Sequence, residues 1–309
     1  MSWAPLVITP DTAERPASAA GLLAVVADTD VIDKLILEHK ALVFRGFGLG
    51  TDRLDEAIDQ LLSTRLAYVH GNSPRTKVGA NLYTSTEYPA EFTISMHNEL
   101  SYSHSWPTRL LFYCQQAAPT GGATPVVDAA AWLASLAPEV RDAYRGGVRY
   151  LQNMHGGRGF GKSWQDTFET GDRAVVEAFL TDAGASWEWK ADGGLRVIQV
   201  RPSTTRHPVT GDEVWFNQSD QWHPAALDDE VGLALRDALP EDELPQSVTF
   251  ADGTPIPAEY VTQVRDRGLA LAVDVDWQEG DLLVIDNVLV GHGRRPFTGP
   301  RRVLVAMSA

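Results

Sequence analysis

The sequence predicts a mixed α+β fold with a mainly β core, arranged as a double-stranded β-helix (jelly roll) with flanking helices. Two observations predict this architecture. Strand-like segments occur near both ends of the chain, and the region around residues 128–190 reads as a mostly helical insertion. No repeat, low-complexity tract or composition break marks a linker, so we expect residues 1–309 to form a single domain.

The N-terminal region predicts helix, strand and helix in that order. Residues 18–39 carry apolar side chains near helical spacing and predict one helix. Residues 41–46 predict a buried strand that ends at a glycine. Thr51 or Asp52 is expected to cap a second helix, which runs to about Ser63.

The rest of the chain predicts strands on either side of a more helical middle. The expected strands cover 92–99, 109–116, 126–127, 282–285, 288–292 and 302–307. The expected helices cover 129–136, 139–144, 173–183 and 257–272. Since strands return at the end of the chain, they are expected to close the β core.

Composition excludes several classes of partner. The net charge is −15 and the pI is near 4.9, which disfavours nucleic acid and anionic membranes because both require basic patches. Cys114 is the single cysteine, so no intrachain disulfide can form. The sequence has no basic, apolar leader at its start and no apolar run of about 18 residues. We therefore expect a soluble cytoplasmic protein, of open oligomeric state.

The triplet His97-Asn98-Glu99 is the candidate metal site. On a strand, alternate side chains share a face, so His97 and Glu99 project to one side and Asn98 to the other. With His292 from a distant strand, they would supply two nitrogens and one oxygen, the facial triad of non-heme Fe(II) oxygenases. Taken alone, an H-x-E triplet is a weak signal, and a structural role for both side chains is the simpler interpretation.

Further residues at fixed distances strengthen this hypothesis. Thr124 lies 25 residues after Glu99, and Arg302 lies ten residues after His292. In this order the residues resemble the taurine dioxygenase (TauD/TfdA-type) branch of the Fe(II)/2-oxoglutarate oxygenases, from about residue 44 to residue 307. Four segments are similar to the clavaminate synthase-like and SyrP-like subgroup, namely 83–89, 97–102, 214–218 and 286–307.

The resemblance implies a role for each of these residues. His97, Glu99 and His292 would bind Fe(II), and Arg302 and Thr124 would bind the distal carboxylate of 2-oxoglutarate, with O2 as the other cosubstrate. Arg301 is the competitor of Arg302, because neighbouring residues on a strand point to opposite faces. Family spacing favours Arg302, but a register slip of one residue would reverse the assignment.

The implied reaction is hydroxylation of an unactivated C–H bond, with release of succinate and CO2. Related halogenases have a small residue in place of the carboxylate ligand, so Glu99 indicates hydroxylation and not halogenation. A desaturase or cyclase would use the same site, and a non-catalytic jelly-roll binding protein is the remaining alternative. The sequence does not separate the hydroxylase from the desaturase.

The resemblance also narrows the substrate. Taurine dioxygenase has a sulfonate-binding arginine four residues after its cosubstrate arginine, and Ala306 stands at that position here. The subgroup implies a small amino acid or amino-acid-derived substrate, free or attached to a carrier protein, in specialised (secondary) metabolism. Four residues are candidates both for the substrate pocket and for simple packing, namely Tyr83, Glu87, Trp215 and Asn217.

Overall fold

The computed structural model describes residues 3–71, 75–227 and 230–309. Its helices are α1 (Ala19–Val26), α2 (Thr29–His39), α3 (Leu54–Leu61), α4 (Ala129–Ser135), α5 (Pro138–Ala143), α6 (Trp164–Phe168), α7 (Arg173–Asp182), α8 (Ser219–Trp222), α9 (Glu230–Ala238) and α10 (Ala258–Leu271). Short 3-10 helices cover Tyr144–Gly146, Pro224–Ala226 and Glu241–Glu243. None of the helices in these described ranges is long and apolar enough to cross a membrane.

The strands form one sheet of seven strands, two sheets of four strands and two sheets of two strands, and the seven-stranded and four-stranded sheets that share the central core are called the large sheets. The strands are β1 (Leu6–Ile8), β2 (Ala41–Phe44), β3 (Lys77–Gly79), β4 (Leu82–Thr84), β5 (Ile94–His97), β6 (Arg109–Gln116), β7 (Thr120–Gly121), β8 (Thr124–Asp128), β9 (Val148–Met154), β10 (Ser186–Trp189), β11 (Leu195–Arg201), β12 (Thr204–Arg206), β13 (Glu213–Trp215), β14 (Gln246–Phe250), β15 (Val273–Val275), β16 (Leu282–Asp286), β17 (Val290–Arg294), β18 (Phe297–Thr298) and β19 (Arg302–Ser308). One large sheet has the order β1-β2-β16-β6-β19-β4-β3, and the other has the order β15-β8-β17-β5.

The two large sheets share one hydrophobic core, which confirms the mainly β fold. Phe112 and Val305 of the seven-stranded sheet belong to the same buried cluster as Val126 and Val290 of the four-stranded sheet. Alternate residues of the same strands, such as Leu304, belong to a second cluster shared with α1, α2 and α3. This alternation follows from the two-residue period of a strand, and it leaves helices flanking a β core.

Two predicted boundaries near the N-terminus are wrong. Residues 18–39 form two helices, because the Asp28 carboxylate accepts a hydrogen bond from the Val31 N–H and starts α2 separately. The helix α3 begins at Leu54 after Arg53, which makes no side-chain capping bond, so Thr51 and Asp52 do not cap it. The predicted strand at 41–46 is present as β2.

The insertion around 128–190 contains strands as well as helices. It holds α4 to α7 together with β9 and β10. The strand β9 pairs with β11 and β14, which lie outside the predicted insertion, in a four-stranded sheet of order β10-β11-β9-β14. The inserted region is therefore a mixed unit whose sheet ends at Phe250.

Candidate active site

The structure brings His97, Glu99 and His292 together. His97 ends β5 and lies directly opposite His292 of β17 in the antiparallel register, and their ring centroids are 4.3 Å apart. One ligand atom from each of the three residues lies within 4.8 Å of the others, and all three side chains are buried. Glu99 lies just beyond the end of β5, so it reaches the cluster from a turn and not from the strand that was predicted.

A hydrogen-bond chain orients the His97 ring. Its Nδ1 lies 3.0 Å from the Ser95 carbonyl oxygen, which can only accept, so Nδ1 carries the proton and Nε2 keeps its lone pair. The Ser95 hydroxyl in turn donates to the Asp220 carboxylate at 2.7 Å. Such a bond on the second ring nitrogen is the usual way to fix a metal-binding histidine in one tautomer.

Asn287 holds the backbone on which Glu99 sits. Its side-chain oxygen accepts from the Glu99 N–H at 2.8 Å, and its side-chain nitrogen donates to the Glu99 carbonyl at 3.0 Å. Asn98 points away from the cluster, as predicted, and donates to the carbonyls of Asn287 and Val290. Both asparagines are fully buried, so these bonds tie the Glu99 turn to the chain that leads into β17.

Both imidazoles of the cluster are favoured in their neutral form. Burial lowers the pKa of His97 despite the charge of Glu99. Burial, together with the charges of His97 and Arg75, holds the pKa of His292 well below its ordinary value. Neutral imidazole is the form that binds a metal, so the site is prepared for a cation without first losing protons.

Thr124 lies beside this cluster. It starts β8, the strand next to β17, and it lines the same small cavity as His97 and His292. Its hydroxyl oxygen accepts a hydrogen bond from the Trp277 indole at 3.1 Å, which leaves the hydroxyl proton available to a ligand. Thr124 therefore lies in the same cavity as both histidines, with its hydroxyl proton free to be donated.

Arg301, and not Arg302, lines the cavity beside the cluster. Arg302 is exposed, and it borders only an adjoining outer cavity of about 420 Å³. The reason is strand alternation: Val303 and Val305 point into the core between the sheets, while Leu304 packs on the helical side. Arg301 shares the inward direction of Val303, so the expectation that Arg302 points inward is corrected.

The guanidinium of Arg301 is held in position to bind an anion. Its Nε donates to the Gly122 carbonyl at 3.0 Å, and its Nη1 lies 3.3 Å from the Ser85 hydroxyl. Burial, reinforced by the charge of Arg294, lowers its pKa to about 10. Among the described residues no carboxylate forms an ion pair with Arg301, and a half-buried guanidinium without a carboxylate partner is a strong site for a carboxylate.

The four substrate-pocket candidates divide into two groups. Glu87 borders the outer cavity and accepts hydrogen bonds from Thr76 and Thr84. Tyr83 is buried, and its hydroxyl oxygen accepts from the Tyr68 N–H. The expectation fails for Tyr83, Trp215 and Asn217, which are buried and line neither cavity.

Trp215 and Asn217 have structural partners. Trp215 packs against Trp132 and Tyr144, with ring centroids 6.0 and 5.0 Å away. Asn217 donates to the Ser203 carbonyl and accepts from the Ser219 N–H. Full burial leaves no surface of either side chain for a ligand.

The sequence interpretation missed Arg75. Its Nη2 lies 2.5 Å from Glu99 Oε2, and its guanidinium carbon lies 4.6 Å from the Tyr68 ring centroid. The side chain is 3 % exposed and lines the cavity beside His97. Arg75 lies outside every motif, and the sequence carries no periodic signal that points its side chain toward the cluster.

Comparisons with known proteins identify the family. Residues 15–307 match the model of the taurine catabolism dioxygenase TauD, TfdA family, and the chain belongs to this family. It is 38 % identical to the dapdiamide synthesis protein DdaC of Enterobacter agglomerans, over 89 % of this chain and 84 % of that protein. It is 30 % identical to a clavaminate synthase-like protein of Arabidopsis thaliana, over 98 % of this chain and 93 % of that protein.

Solved structures show the same fold at low identity. The PvcB protein of Pseudomonas aeruginosa superposes with a TM-score of 0.56 at 15 % identity, over 97 % of this chain and 84 % of PvcB. A second PvcB structure, described as an Fe, alpha-ketoglutarate dependent oxygenase, superposes with a TM-score of 0.52 at 14 % identity, with the same coverage of each chain. The double-stranded β-helix predicted from the sequence is therefore confirmed.

Family membership defines the class of enzyme. The protein is a dioxygenase that depends on Fe(II) and 2-oxoglutarate and uses O2. The residues present fit this requirement, because two imidazoles and a carboxylate are the donor set of such iron sites and Arg301 offers a cation to a dicarboxylate. The alternative of a non-catalytic binding protein is set aside.

Proposed function

We propose that this enzyme hydroxylates an unactivated C–H bond of an amino acid or amino-acid-derived molecule. His97, Glu99 and His292 hold Fe(II), and Thr124 and Arg301 bind the distal carboxylate of 2-oxoglutarate. The observation that supports the proposal best is the buried cluster of two imidazoles and a carboxylate beside the half-buried guanidinium of Arg301, which has no carboxylate partner among the described residues. We place the reaction in the cytoplasm, in line with the lack of any disulfide partner for Cys114.

The protein residues bind and orient, and they exclude water. When bound, Fe(II) would activate O2 with 2-oxoglutarate as the co-reductant, so that one oxygen atom enters succinate as CO2 is released and the other enters the substrate as its new hydroxyl group. Thr124 and Arg301 fix the cosubstrate at its far end, so that its other end is directed toward the cluster. The buried walls of the cavity, including Phe112, limit access of water to the reacting C–H bond.

Glu99 supports hydroxylation over halogenation. Its carboxylate occupies the position that a halide would need on the metal, and Asn287 holds its backbone from both sides. A chlorinated product formed by the wild-type enzyme in chloride buffer would contradict this part of the proposal. The expected product carries one additional oxygen.

The substrate class rests on relatives and on one position in the chain. DdaC is a dapdiamide synthesis protein, which is consistent with an amino-acid-related substrate and with specialised metabolism here. Because Arg301 points inward, the residue four positions later on the same face is Val305, and it is buried in the core. Neither Val305, four residues after Arg301, nor Ala306, four residues after Arg302, offers a cation to a sulfonate.

Turnover of 2-oxoglutarate tests the proposal. Wild-type protein with Fe(II), 2-oxoglutarate and O2 is expected to form succinate, and a substrate should accelerate it. We expect His97→Ala to lower succinate formation at least about 100-fold, because a metal ligand is lost. His39→Ala is the matched control, since His39 is a surface histidine in contact with Glu38 and should retain wild-type turnover.

A mass-spectrometric screen identifies the substrate. Free amino acids and carrier-bound aminoacyl groups are incubated with the active enzyme, and the products are examined for a gain of one oxygen. A loss of two hydrogens without added oxygen would instead indicate desaturation or cyclisation. Succinate formation that is unaffected by His97→Ala would contradict the assignment of the metal site.

A further inference from the structure

Arg75 is a buried cation whose partner is a proposed metal ligand. Its side chain is 3 % exposed, and Glu99 is the one carboxylate in ion-pair contact with it among the residues that the structure describes. An arginine guanidinium is not deprotonated in proteins, so burial does not neutralise Arg75. The guanidinium is therefore charged, and it needs an anion beside it.

Metal binding removes this partner. Arg75 Nη2 contacts Glu99 Oε2, an oxygen that lies 4.0 Å from His292 Nε2 inside the cluster. When that carboxylate binds a divalent cation, its charge is neutralised and the cation repels the nearby guanidinium. Arg75 then stays buried, next to the cavity that His97 and Thr124 line, without a compensating negative charge.

A second cation lies near the aromatic ring that Arg75 contacts. Lys162 Nζ is 5.6 Å from the Tyr68 ring centroid, and it donates to the Gly71 carbonyl at 2.7 Å. Burial lowers the pKa of Lys162, although Asp166 partly opposes this effect. Two cations therefore lie beside one aromatic ring in a chain of net charge −15, and of the two it is Arg75 that lines the cavity.

The cosubstrate has its own cation. The distal carboxylate of 2-oxoglutarate is assigned to Arg301, which lines the same cavity as Arg75. The second carboxylate of 2-oxoglutarate, next to its keto group, would bind the metal and so be compensated by it as Glu99 is, which leaves the substrate as the source of an anion for Arg75. A guanidinium pairs with a carboxylate in a planar, two-point geometry, so a carboxylate fits best.

We propose that Arg75 exchanges Glu99 for a free carboxylate of the substrate when the metal site is filled. This inference rests on the proposed function and narrows it. An aminoacyl group on a carrier protein has its carboxyl carbon in the thioester and offers no carboxylate. The substrate is therefore a free amino acid, or a derivative that keeps a carboxylate, and not a carrier-bound group.

Metal binding without any substrate tests the first half of the exchange. Mn(II) is titrated into metal-free wild-type protein, Arg75→Gln and Arg75→Lys, with Lys77→Ala as control because Lys77 is an exposed cation on β3. We expect Arg75→Gln to bind Mn(II) about tenfold more tightly, Arg75→Lys to fall between it and the wild type, and Lys77→Ala to match the wild type. Equal Mn(II) affinity in folded Arg75→Gln and wild-type protein would overturn the exchange.

Substrate recognition tests the second half. The probes are the twenty proteinogenic L-amino acids and their α-amides, added without oxygen to protein loaded with Fe(II) and 2-oxoglutarate. Binding is read as a change in the visible absorbance of the Fe(II)–2-oxoglutarate complex. We expect at least one free acid to bind tenfold or more tightly than its amide, and Arg75→Gln to lose this preference while keeping the absorbance.

The outcomes separate this inference from the proposed function. If 2-oxoglutarate produces no absorbance with wild-type protein and Fe(II), the proposed function fails. If the absorbance forms but acids and amides bind equally, or no acid in the panel binds, only the role of Arg75 is contradicted. If Arg75→Gln weakens 2-oxoglutarate itself, then Arg75 serves the cosubstrate and the inference is also overturned.

Discussion

The two sides of the candidate site are built differently. Thr124 and His292 lie on neighbouring strands, so strand alternation fixes the direction of both side chains, and Arg301 directly precedes β19 and lines the same cavity as Val303 of that strand. Arg75 lies on a short segment ahead of β3, and its direction depends on burial and on its contact with Glu99. The difference teaches that the side proposed to bind 2-oxoglutarate is set mainly by sheet geometry, whereas the side proposed to bind the substrate is set by particular tertiary contacts.

The largest expected effect concerns Asp220, which supports the strand-built side of the site. Its carboxylate accepts a hydrogen bond from the Ser95 hydroxyl, and the Ser95 carbonyl accepts one from His97. Asp220 is 2 % exposed, and burial raises the pKa of its carboxyl to about 6. In the unfolded chain the pKa of this carboxyl is about 4. At pH values between about 4 and about 6, the native state therefore keeps a proton that the unfolded state loses. Native stability therefore falls as the pH rises through this window, and above it the full cost of the buried charge remains.

Asp220→Asn should remove this dependence on pH. We expect the unfolding free energy of the variant, minus that of the wild type, to increase by on the order of 3 kcal/mol between pH 4 and pH 7. Denaturant unfolding at several pH values measures the difference. A difference that stays constant across this range would show that Asp220 is ionised in the native state at low pH as well.

The next effect concerns Asn287, which fixes the Glu99 turn. Asn287→Ala removes both hydrogen bonds to the Glu99 backbone, and we expect Mn(II) affinity to fall about 10- to 100-fold. Asn217→Ala is the matched control, because Asn217 is equally buried but bonds to Ser203 and Ser219 away from the cluster. Equal losses of metal affinity in the two variants would mean that general destabilisation is responsible.

The smallest expected effect concerns Trp215, which lies in the core and not in the site. Trp215→Phe replaces an indole that packs against Trp132 and Tyr144 with a smaller phenyl ring. We expect the unfolding free energy to fall by about 2 kcal/mol. The Michaelis constant for 2-oxoglutarate should stay unchanged, since Trp215 lines neither cavity. A selective rise in that constant, without loss of stability, would return Trp215 to the substrate pocket.

The strand-borne part of the site was predictable from the sequence. Strand geometry and family resemblance both explain the positions of His97, Thr124 and His292, whereas Glu99 joins them from a turn beyond β5, and the structure brings all four together. The choice between Arg301 and Arg302 was not predictable in this way. Motif spacing cannot distinguish two adjacent residues, whereas the inward packing of Val303 does.

The remaining errors have physical causes. Tertiary packing and the Asp28 cap divide the helix predicted at 18–39, because local hydrophobic spacing does not report a short break. Trp215 and Asn217 lie near family-like motifs, but the sequence does not show that aromatic and backbone partners bury them completely. Arg75 depends on one long-range ion pair, which no periodic pattern encodes.

The most direct test of the central claim compares the two adjacent arginines by titration of 2-oxoglutarate into the Fe(II)-loaded protein. The strand-built side predicts that Arg301→Ala weakens 2-oxoglutarate binding about 10- to 100-fold, because a buried charge-assisted pair contributes roughly 1.5–3 kcal/mol. Arg302→Ala, which removes an exposed side chain, should bind 2-oxoglutarate as the wild type does. A larger loss in Arg302→Ala than in Arg301→Ala would contradict the inward position of Arg301 and the account built on it.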